Sequence, residues 1–272
     1  MSNTQLRIIS AVILAAIVGF ILYLGIVEVL LFLSLAGVIC IDEFLCNFLK
    51  RKRFSLVYNL TQTIFVSVFI YFHLINRDVE VNSIIVNSSL IFNVILLTYL
   101  FLARMSSTLF VRFLRKYSFL ISFFFLLPFF ALASLLFFQD WLYLLLIVLL
   151  ISFGMDTGAW FFGKNFGKRK LWPSVSPNKT IEGLIGGAFT SGIVGSIAWY
   201  YLIDKNIIYL FPIFMVLGAL SQLGDLIQSK LKRQVGIKDS SHLIPGHGGV
   251  YDRIDSLIFV APIYAVLINF LF

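Results

Sequence analysis

The chain has 272 residues, of which 60% are hydrophobic and 12% are charged, and its mean hydropathy is +0.98. Soluble domains are about 45–50% apolar and about 25% charged, so this composition excludes a soluble globular domain and a disordered chain. A formal net charge of +8 would indicate nucleic-acid binding in a soluble protein. In a membrane protein, cytoplasmic loops carry an excess of basic residues, and this explanation has to be tested first. We expect an all-α, polytopic transmembrane helical bundle with no nucleic-acid partner.

Nine mainly apolar runs of about 17–25 residues follow one another along the chain. They lie near 8–24, 26–48, 56–76, 84–103, 118–138, 141–160, 183–203, 207–227 and 257–272. The first two meet at Gly25 and could form one span or two, although two spans fit a bilayer better than one helix of about 51 Å. Arg7 before the first run resembles the start of a signal peptide, but no small-residue cleavage site follows, so we expect this segment to be retained.

The basic residues predict the orientation of these spans. With a cytoplasmic N-terminus, 19 of the 21 Lys and Arg residues fall on the inner side, and only Arg77 and Lys205 fall outside. Such an asymmetry is typical of a membrane protein with a single, well-defined topology. The net charge is therefore explained mostly by topology and by contact with membrane lipids.

Small residues recur every four positions along the seventh span, at Gly183, Gly187, Ser191 and Gly195. Such a stripe lets helices approach closely, so we expect a central helix surrounded by protein. No long linker divides the chain, which indicates one structural domain. Within it we expect residues 1–138 to form packing and lipid-facing spans, and residues 139–272 to hold the reactive groups, with cytoplasmic loops 161–182 and 228–256.

The first of these loops ends in Ser176-Pro-Asn-Lys-Thr-Ile-Glu182. Asn178 or Thr180 could cap the seventh span, whose free backbone amides would attract phosphate, and Lys179 would add a positive charge beside them. Asp156 lies near the inner end of an apolar run, where an acidic side chain usually faces the protein interior or a water-filled cavity.

The second polar segment begins on the eighth span, where Asp225, Ser229 and Lys232 share one helix face. Asp252 and Asp255 are one turn apart at the start of the ninth span. They could serve a site or simply favour the positive end of a helix dipole, and both readings stay open. Glycines around His247 indicate that the backbone turns sharply or approaches something closely.

Carboxylates beside several Lys and Arg residues, without a nucleophilic triad, favour a divalent metal and a phosphorylated ligand. This combination predicts a metal-assisted phosphoryl or nucleotidyl transfer at the inner membrane face. One substrate could then come from the cytosol and one from the lipid layer.

The 27-residue stretch Ser229-Lys-Leu-Lys-Arg-Gln-Val-Gly-Ile-Lys-Asp-Ser-Ser-His-Leu-Ile-Pro-Gly-His-Gly-Gly-Val-Tyr-Asp-Arg-Ile-Asp255 resembles the signature of the phosphatidate cytidylyltransferase family, also called CDP-diacylglycerol synthase. The pieces Asp156-Thr-Gly-Ala-Trp and Ser176-Pro-Asn-Lys-Thr-Ile-Glu-Gly183 resemble the same family. The resemblance covers roughly the C-terminal 120 residues.

This resemblance implies that CTP and phosphatidic acid give CDP-diacylglycerol and pyrophosphate, with Mg²⁺ alone or together with a second cation, at a cytoplasm-facing site of a bacterial inner membrane. It implies that Asp225 and Asp252 hold the metal. The expected catalytic residues are Asp225, Asp252, Lys179, Lys232 and Arg233. The resemblance also implies that Lys238 and Arg253 meet phosphate groups, and we infer the other substrate-binding residues from the two polar segments. The full set of expected substrate-binding residues is Asp156, Ser176, Ser229, Lys238, Asp239, His247, Gly248, Gly249, Arg253 and Asp255.

Three alternative functions remain open at this point, the weakest of which is a purely structural anchor, because it explains none of the loop glycines. A related cytidylyltransferase or kinase acting on an isoprenoid lipid would share the motif, because acceptor choice depends on the apolar groove. A transporter would also place acids at membrane depth, but no inverted half-repeat is visible. The glycine-rich spans make a homodimer possible.

Overall fold

The computed structural model describes residues 3–76, 79–203 and 209–272. Arg77 and Lys205, the two basic residues predicted on the outer side, lie outside these ranges. Within them, helices α1–α10 are Asn3–Leu24, Ile26–Glu43, Leu56–Ile70, Val79–Leu102, Leu109–Lys116, Leu120–Ser134, Trp141–Phe166, Ile181–Leu202, Leu210–Gln234 and Tyr251–Leu271. Wider π-helical turns extend α2 through Phe44–Phe48 and α3 through Tyr71–Ile75, and a 3₁₀ turn, Leu135–Phe137, extends α6.

The nine predicted spans correspond to nine of these helices. Among the described residues, eight helices are long and apolar enough to cross a membrane, whereas the apolar part of α1, Ile8–Leu24, is shorter. The first two runs form separate helices, which part at Gly25, where a φ of +133° favours glycine. The all-α polytopic fold is confirmed, and the protein is a multi-pass integral membrane protein. The additional helix α5 is short and amphipathic.

The core of the bundle lies around α6, which packs against α2, α3, α4 and α10. Its buried rings Phe124, Phe125 and Phe129 contact aromatic side chains of the neighbouring helices, including Phe44 and Phe65. Edge-to-face pairs of this kind stabilise a packing beyond the area they bury. The N-terminal and C-terminal spans therefore share one core.

The stripe of small residues lies where α8 meets α7 and α9. A Cβ at Gly187 would lie 2.7 Å from the Met155 carbonyl oxygen of α7, and one at Gly183 would lie 2.8 Å from that of Ala159. The close packing predicted for this span is confirmed. The prediction that this helix is central and surrounded by protein is wrong, because the opposite face of α8 exposes Ile185, Phe189, Ile193 and Ile197.

Both predicted polar loops are shorter than expected. Helix α7 continues to Phe166, and an antiparallel hairpin follows, with β1 at Lys170–Trp172 and β2 at Ser176–Thr180. Helix α9 continues to Gln234 and α10 begins at Tyr251, so the loop between them is 235–250. We call residues 235–250 the signature loop. Hydropathy misplaced the ends of α9 and α10 because polar residues in their terminal turns, such as Lys230 and Asp252, find partners inside the protein.

Lys230 shows how one such residue is accommodated. Its side chain on α9 is fully buried, and its ammonium donates to the carbonyl oxygens of Tyr99, Leu100 and Ala103 at 3.0, 2.7 and 2.5 Å. These carbonyls end α4, where a helix has unsatisfied acceptors and a partial negative charge. Lys230 therefore caps α4 from a neighbouring helix.

The connecting segments predicted on the inner side meet at one end of the bundle. Arg51, after α2, donates to the Ser118 hydroxyl before α6 at 3.0 Å. Asn47 donates to the Ser240 carbonyl in the signature loop at 2.6 Å. These contacts agree with the membrane topology that the basic residues predict, in which these segments lie on the same side.

We expect the substitution Gly187→Val to lower the free energy of unfolding by about 1–3 kcal/mol, because the new side chain overlaps the α7 backbone. Thermal unfolding in detergent measures this effect. Gly19→Ala is the control, since no heavy atom lies within 4 Å of a Cβ at Gly19. Equal melting temperatures for both variants would contradict the close packing of α7 and α8.

We expect Lys230→Met to destabilise the protein by about 2 kcal/mol, because three carbonyls at the end of α4 lose a charged donor. The exposed Lys52→Met is the matched control. Chemical unfolding of both purified variants tests this prediction. A Lys230→Met protein as stable as the control would show that the cap contributes nothing.

Candidate active site at one end of the bundle

Four acids come together at the end of the bundle that carries the basic segments. Asp156 lies on α7, Asp225 on α9, and Asp252 and Asp255 on the first turns of α10. Asp156 and Asp255 both lie within electrostatic range of Asp225. Carboxylates this close repel one another, so the site needs cationic partners.

The hairpin supplies the first partner. Lys179 on β2 places its Nζ 2.5 Å from Oδ2 of Asp225, and Ser229 donates to Oδ1 of the same carboxylate at 3.1 Å. Glu182 holds the hairpin, because it accepts hydrogen bonds from the Lys168 and Arg169 amides at 3.1 Å. The Asp225 side chain keeps 29% of its surface exposed and remains accessible to a ligand.

Thr180 caps α8 and accepts a hydrogen bond from the Gly183 amide at 3.0 Å. Of the two caps predicted, Asn178 and Thr180, the second is therefore confirmed. The amide of Ile181 donates to the Arg169 carbonyl at 2.9 Å. Two of the first amides of α8 are therefore already used. The phosphate attraction expected of this helix end gains no support from the geometry.

The second ion pair joins α9 to α10. Lys232 Nζ lies 2.8 Å from Oδ1 of Asp252, whose side chain is only 4% exposed. Oδ2 accepts from the Ser240 amide at 2.7 Å, the Ser240 hydroxyl at 3.0 Å and the Gly249 amide at 3.0 Å. Together these four donors offset the cost of burying this carboxylate.

The two ion pairs belong to one cluster. Lys232 contacts Asp252 and also lies within electrostatic range of Asp225, two turns earlier on α9. Helices α9 and α10 cross closely here, since a Cβ at Gly224 would lie 2.8 Å from the Asp255 carbonyl oxygen. Asp225 and Asp252 therefore converge at the same end of the bundle.

These carboxylates only partly fit a divalent cation. Carboxylate oxygens suit Mg²⁺, and the ammonium of Lys179 occupies the kind of position that a cation beside Asp225 would take. Asp252 would accept a cation only after Lys232 leaves its Oδ1. Within the described ranges, no three His, Cys, Asp or Glu residues are arranged to hold a metal ion.

The remaining predicted residues lie around this cluster at different distances. Arg253 is exposed and lies within electrostatic range of Asp156. Arg233 donates to the Ile237 carbonyl at 3.3 Å, so it supports the start of the signature loop. Ser176 is half-buried on β2 and pairs with Trp172 across the hairpin.

Three further predicted residues lie on the signature loop. Lys238 and Asp239 are exposed and line an open cavity of about 610 Å³ between this loop and the end of α2. Nδ1 of His247 lies 2.6 Å from the Ser10 hydroxyl of α1. The loop therefore contacts both N-terminal helices.

Gly248 and Gly249 confirm the close approach that the glycines predict. Gly248 has a φ of +82°, and a Cβ there would lie 2.6 Å from Oδ2 of Asp252. A Cβ at Gly249 would overlap the Ser240 hydroxyl and lie 2.5 Å from both carboxylate oxygens of Glu43. Only glycine leaves room for these two carboxylates.

Sequence reasoning missed Glu43. This acid ends the regular part of α2, is 2% exposed and accepts hydrogen bonds from the signature loop. The signal that drew attention to Asp156, an acid near the inner end of an apolar run, applies equally to Glu43. The residue was overlooked because it precedes the polar segments by more than a hundred positions.

We expect Gly249→Ala to loosen the signature loop, because the added methyl group overlaps Ser240 and Glu43. Hydrogen exchange of the amides in 238–252 should become at least about 10-fold faster, since their hydrogen bonds would open more often. Gly19→Ala is the control, because Gly19 has no positive φ and no heavy atom within 4 Å of its Cβ position. Equal exchange in both variants would contradict the packing role of Gly249.

Comparison with known proteins adds independent information. Residues 5–271 match the family model described as the cytidylyltransferase family. The phosphatidate cytidylyltransferase of Staphylococcus aureus (strain COL) is 48% identical over 132 residues, which is 48% of this chain and 50% of that protein. The proteins of the same name from Staphylococcus haemolyticus and Staphylococcus saprophyticus are 45% identical over 131 residues and 44% identical over 132 residues. The matched segment spans about half the length of these relatives.

Proposed function

This chain belongs to the cytidylyltransferase family, and on that basis we propose that it transfers the cytidylyl group of CTP to phosphatidic acid, giving CDP-diacylglycerol and pyrophosphate. The printed names of the staphylococcal relatives support this choice of substrates. Neither the isoprenoid-lipid alternative nor the transporter gains support from a specific feature of the structure.

The observation that carries the proposal is the pairing of Lys179 with Asp225 and of Lys232 with Asp252 in one cluster. The cluster lies at an end of the helical bundle, where a soluble nucleotide and the headgroup of a membrane lipid can both arrive. We infer that this end faces the cytoplasm of a bacterial cell, because 19 of the 21 basic residues are predicted there.

The chemistry needs positioning more than it needs a base. A phosphate monoester carries about −1.5 to −2 charges at pH 7, so its oxygen is already a nucleophile. This oxygen attacks the α-phosphorus of CTP, and the bond from the α-phosphorus to the bridging oxygen of the β-phosphate breaks, releasing pyrophosphate. The main barrier is the repulsion between two anions.

Lys179 and Lys232 would lower this repulsion by exchanging a carboxylate partner for a phosphate oxygen. Their carboxylates keep the two ammonium groups oriented until the substrates bind. Arg253, exposed beside the cluster, would add positive charge for the second phosphate group.

Asp225 and Asp252 would hold Mg²⁺, which when bound neutralises phosphate charge and stabilises the leaving pyrophosphate. Each carboxylate would take up this role once its lysine, Lys179 beside Asp225 and Lys232 beside Asp252, binds a phosphate oxygen instead. A homodimer stays a prediction. The glycine stripe that suggested it is used within the chain, between α7, α8 and α9.

Incubation of the purified protein with radiolabelled CTP, phosphatidic acid and Mg²⁺ tests the function. Label should appear in the extracted lipid only when all three are present. Parallel reactions with an isoprenoid lipid phosphate, or with a lipid alcohol and labelled ATP, test the related enzymes. Label transfer in a parallel reaction but not with phosphatidic acid would refute the proposed acceptor.

We expect Asp225→Asn to reduce product formation at least about 100-fold, because the variant keeps the size of the side chain but loses the charge that would hold a cation. Asp140→Asn, at the opposite end of α7, is the matched control. Melting temperatures in detergent establish that each purified variant is folded. A wild-type rate in Asp225→Asn would contradict the assignment of Asp225 to the site.

A further inference from the structure

Glu43 holds the signature loop through four hydrogen bonds. Its Oε1 accepts from the Ser241 hydroxyl at 2.7 Å and the Val250 amide at 2.9 Å. Its Oε2 accepts from the Ser240 hydroxyl at 2.9 Å and the Tyr251 amide at 3.0 Å. One carboxylate of α2 thus holds the middle and the end of a loop about 200 positions further along the chain.

The charge of Glu43 is compensated without a cation. Among the described residues, the salt bridges involve other acids and none involves Glu43. The amides of Val250 and Tyr251 form the N-terminal end of α10, where the helix dipole favours an anion. The loop and helix end that Glu43 positions are therefore also what stabilises its charge.

Glu43 is linked directly to Asp252. The Ser240 hydroxyl lies 2.9 Å from the Glu43 carboxylate and 3.0 Å from that of Asp252, so the two carboxylates share its single hydrogen. Gly249 lies between the same two carboxylates and donates its amide to Asp252. The position of Glu43 therefore determines where two of the donors to Asp252 are placed.

The same helix supplies a second anchor one turn later. Asn47 donates from Nδ2 to the Ser240 carbonyl at 2.6 Å, so Ser240 is held through both its main chain and its side chain. Helix α2 therefore supports the signature loop, and a site on a loop supported in this way keeps its geometry.

We propose that Glu43 is a positioning residue for the reaction: it anchors the signature loop and the first turn of α10, so that the Asp252 carboxylate stays aligned with Lys232. The role in turnover rests on the proposed function. The anchoring of the loop does not depend on it.

The decisive variant is Glu43→Gln. A glutamine amide has the same shape, but its NH₂ group would face an N–H donor of α10 whichever way the amide is turned, because each carboxylate oxygen of Glu43 accepts one backbone amide. Glu28→Gln is the matched control, since Glu28 lies on the same helix and is exposed. Melting temperatures in detergent establish that each purified variant is folded.

Two measurements then separate positioning from a general effect on stability. Hydrogen exchange of the amides in 238–252 should accelerate at least about 10-fold in Glu43→Gln and stay unchanged in Glu28→Gln. The kcat per folded molecule should fall at least about 10-fold, while KM for CTP changes less than about 2-fold, because the variant disturbs alignment more than binding. Glu43→Asp keeps the charge but is too short to reach both amides, so it should recover part of the kcat.

Exchange at the wild-type rate, or an undiminished kcat, in folded Glu43→Gln would overturn the proposal. If Glu43→Gln does not fold, Glu43→Asp and Ser241→Ala replace it, and wild-type values for both on both measurements would overturn it equally. A wild-type protein that makes no CDP-diacylglycerol refutes the proposed function instead. The exchange measurement, which needs no turnover, then decides the anchoring by itself.

Discussion

A carboxylate buried at the end of an apolar bundle is stable only when each oxygen accepts hydrogen bonds, and this requirement organises the candidate site. Asp252 and Glu43 lie side by side, with 8% and 2% of the whole residue exposed, and seven donor groups surround their carboxylates, the Ser240 hydroxyl being shared between the two. Most of the donors come from the signature loop. The loop therefore has its conformation because two anions need it there.

The same requirement connects the two halves of the chain. Glu43 and Asn47 on α2 hold the signature loop, and Lys230 on α9 caps α4. The N-terminal spans, expected from hydropathy to serve packing and lipid contact, thus also support the polar end of the bundle. Substitutions at the ends of these spans that contact the signature loop should affect the site as well as the fold.

Much of the fold could be predicted from the sequence because apolar runs report directly on spans. The shared helix face of Asp225 and Lys232 also followed from spacing alone. The approach of Lys179 to Asp225 depends on a β-hairpin that periodicity does not reveal, and Glu43 depends on a tertiary contact. The central position expected of α8 was wrong, because small residues describe the face they occupy and not the opposite one.

The lysine–aspartate pairs have a consequence for selectivity. An ammonium group already paired with a carboxylate within the protein binds an incoming anion only if that anion competes with the internal partner. A solitary inorganic phosphate must displace it alone, whereas a nucleoside triphosphate arriving with its counterion can exchange partners in one event. For a protein with the proposed function, the two internal pairs would thus disfavour small anions before the base or the acyl chains are recognised.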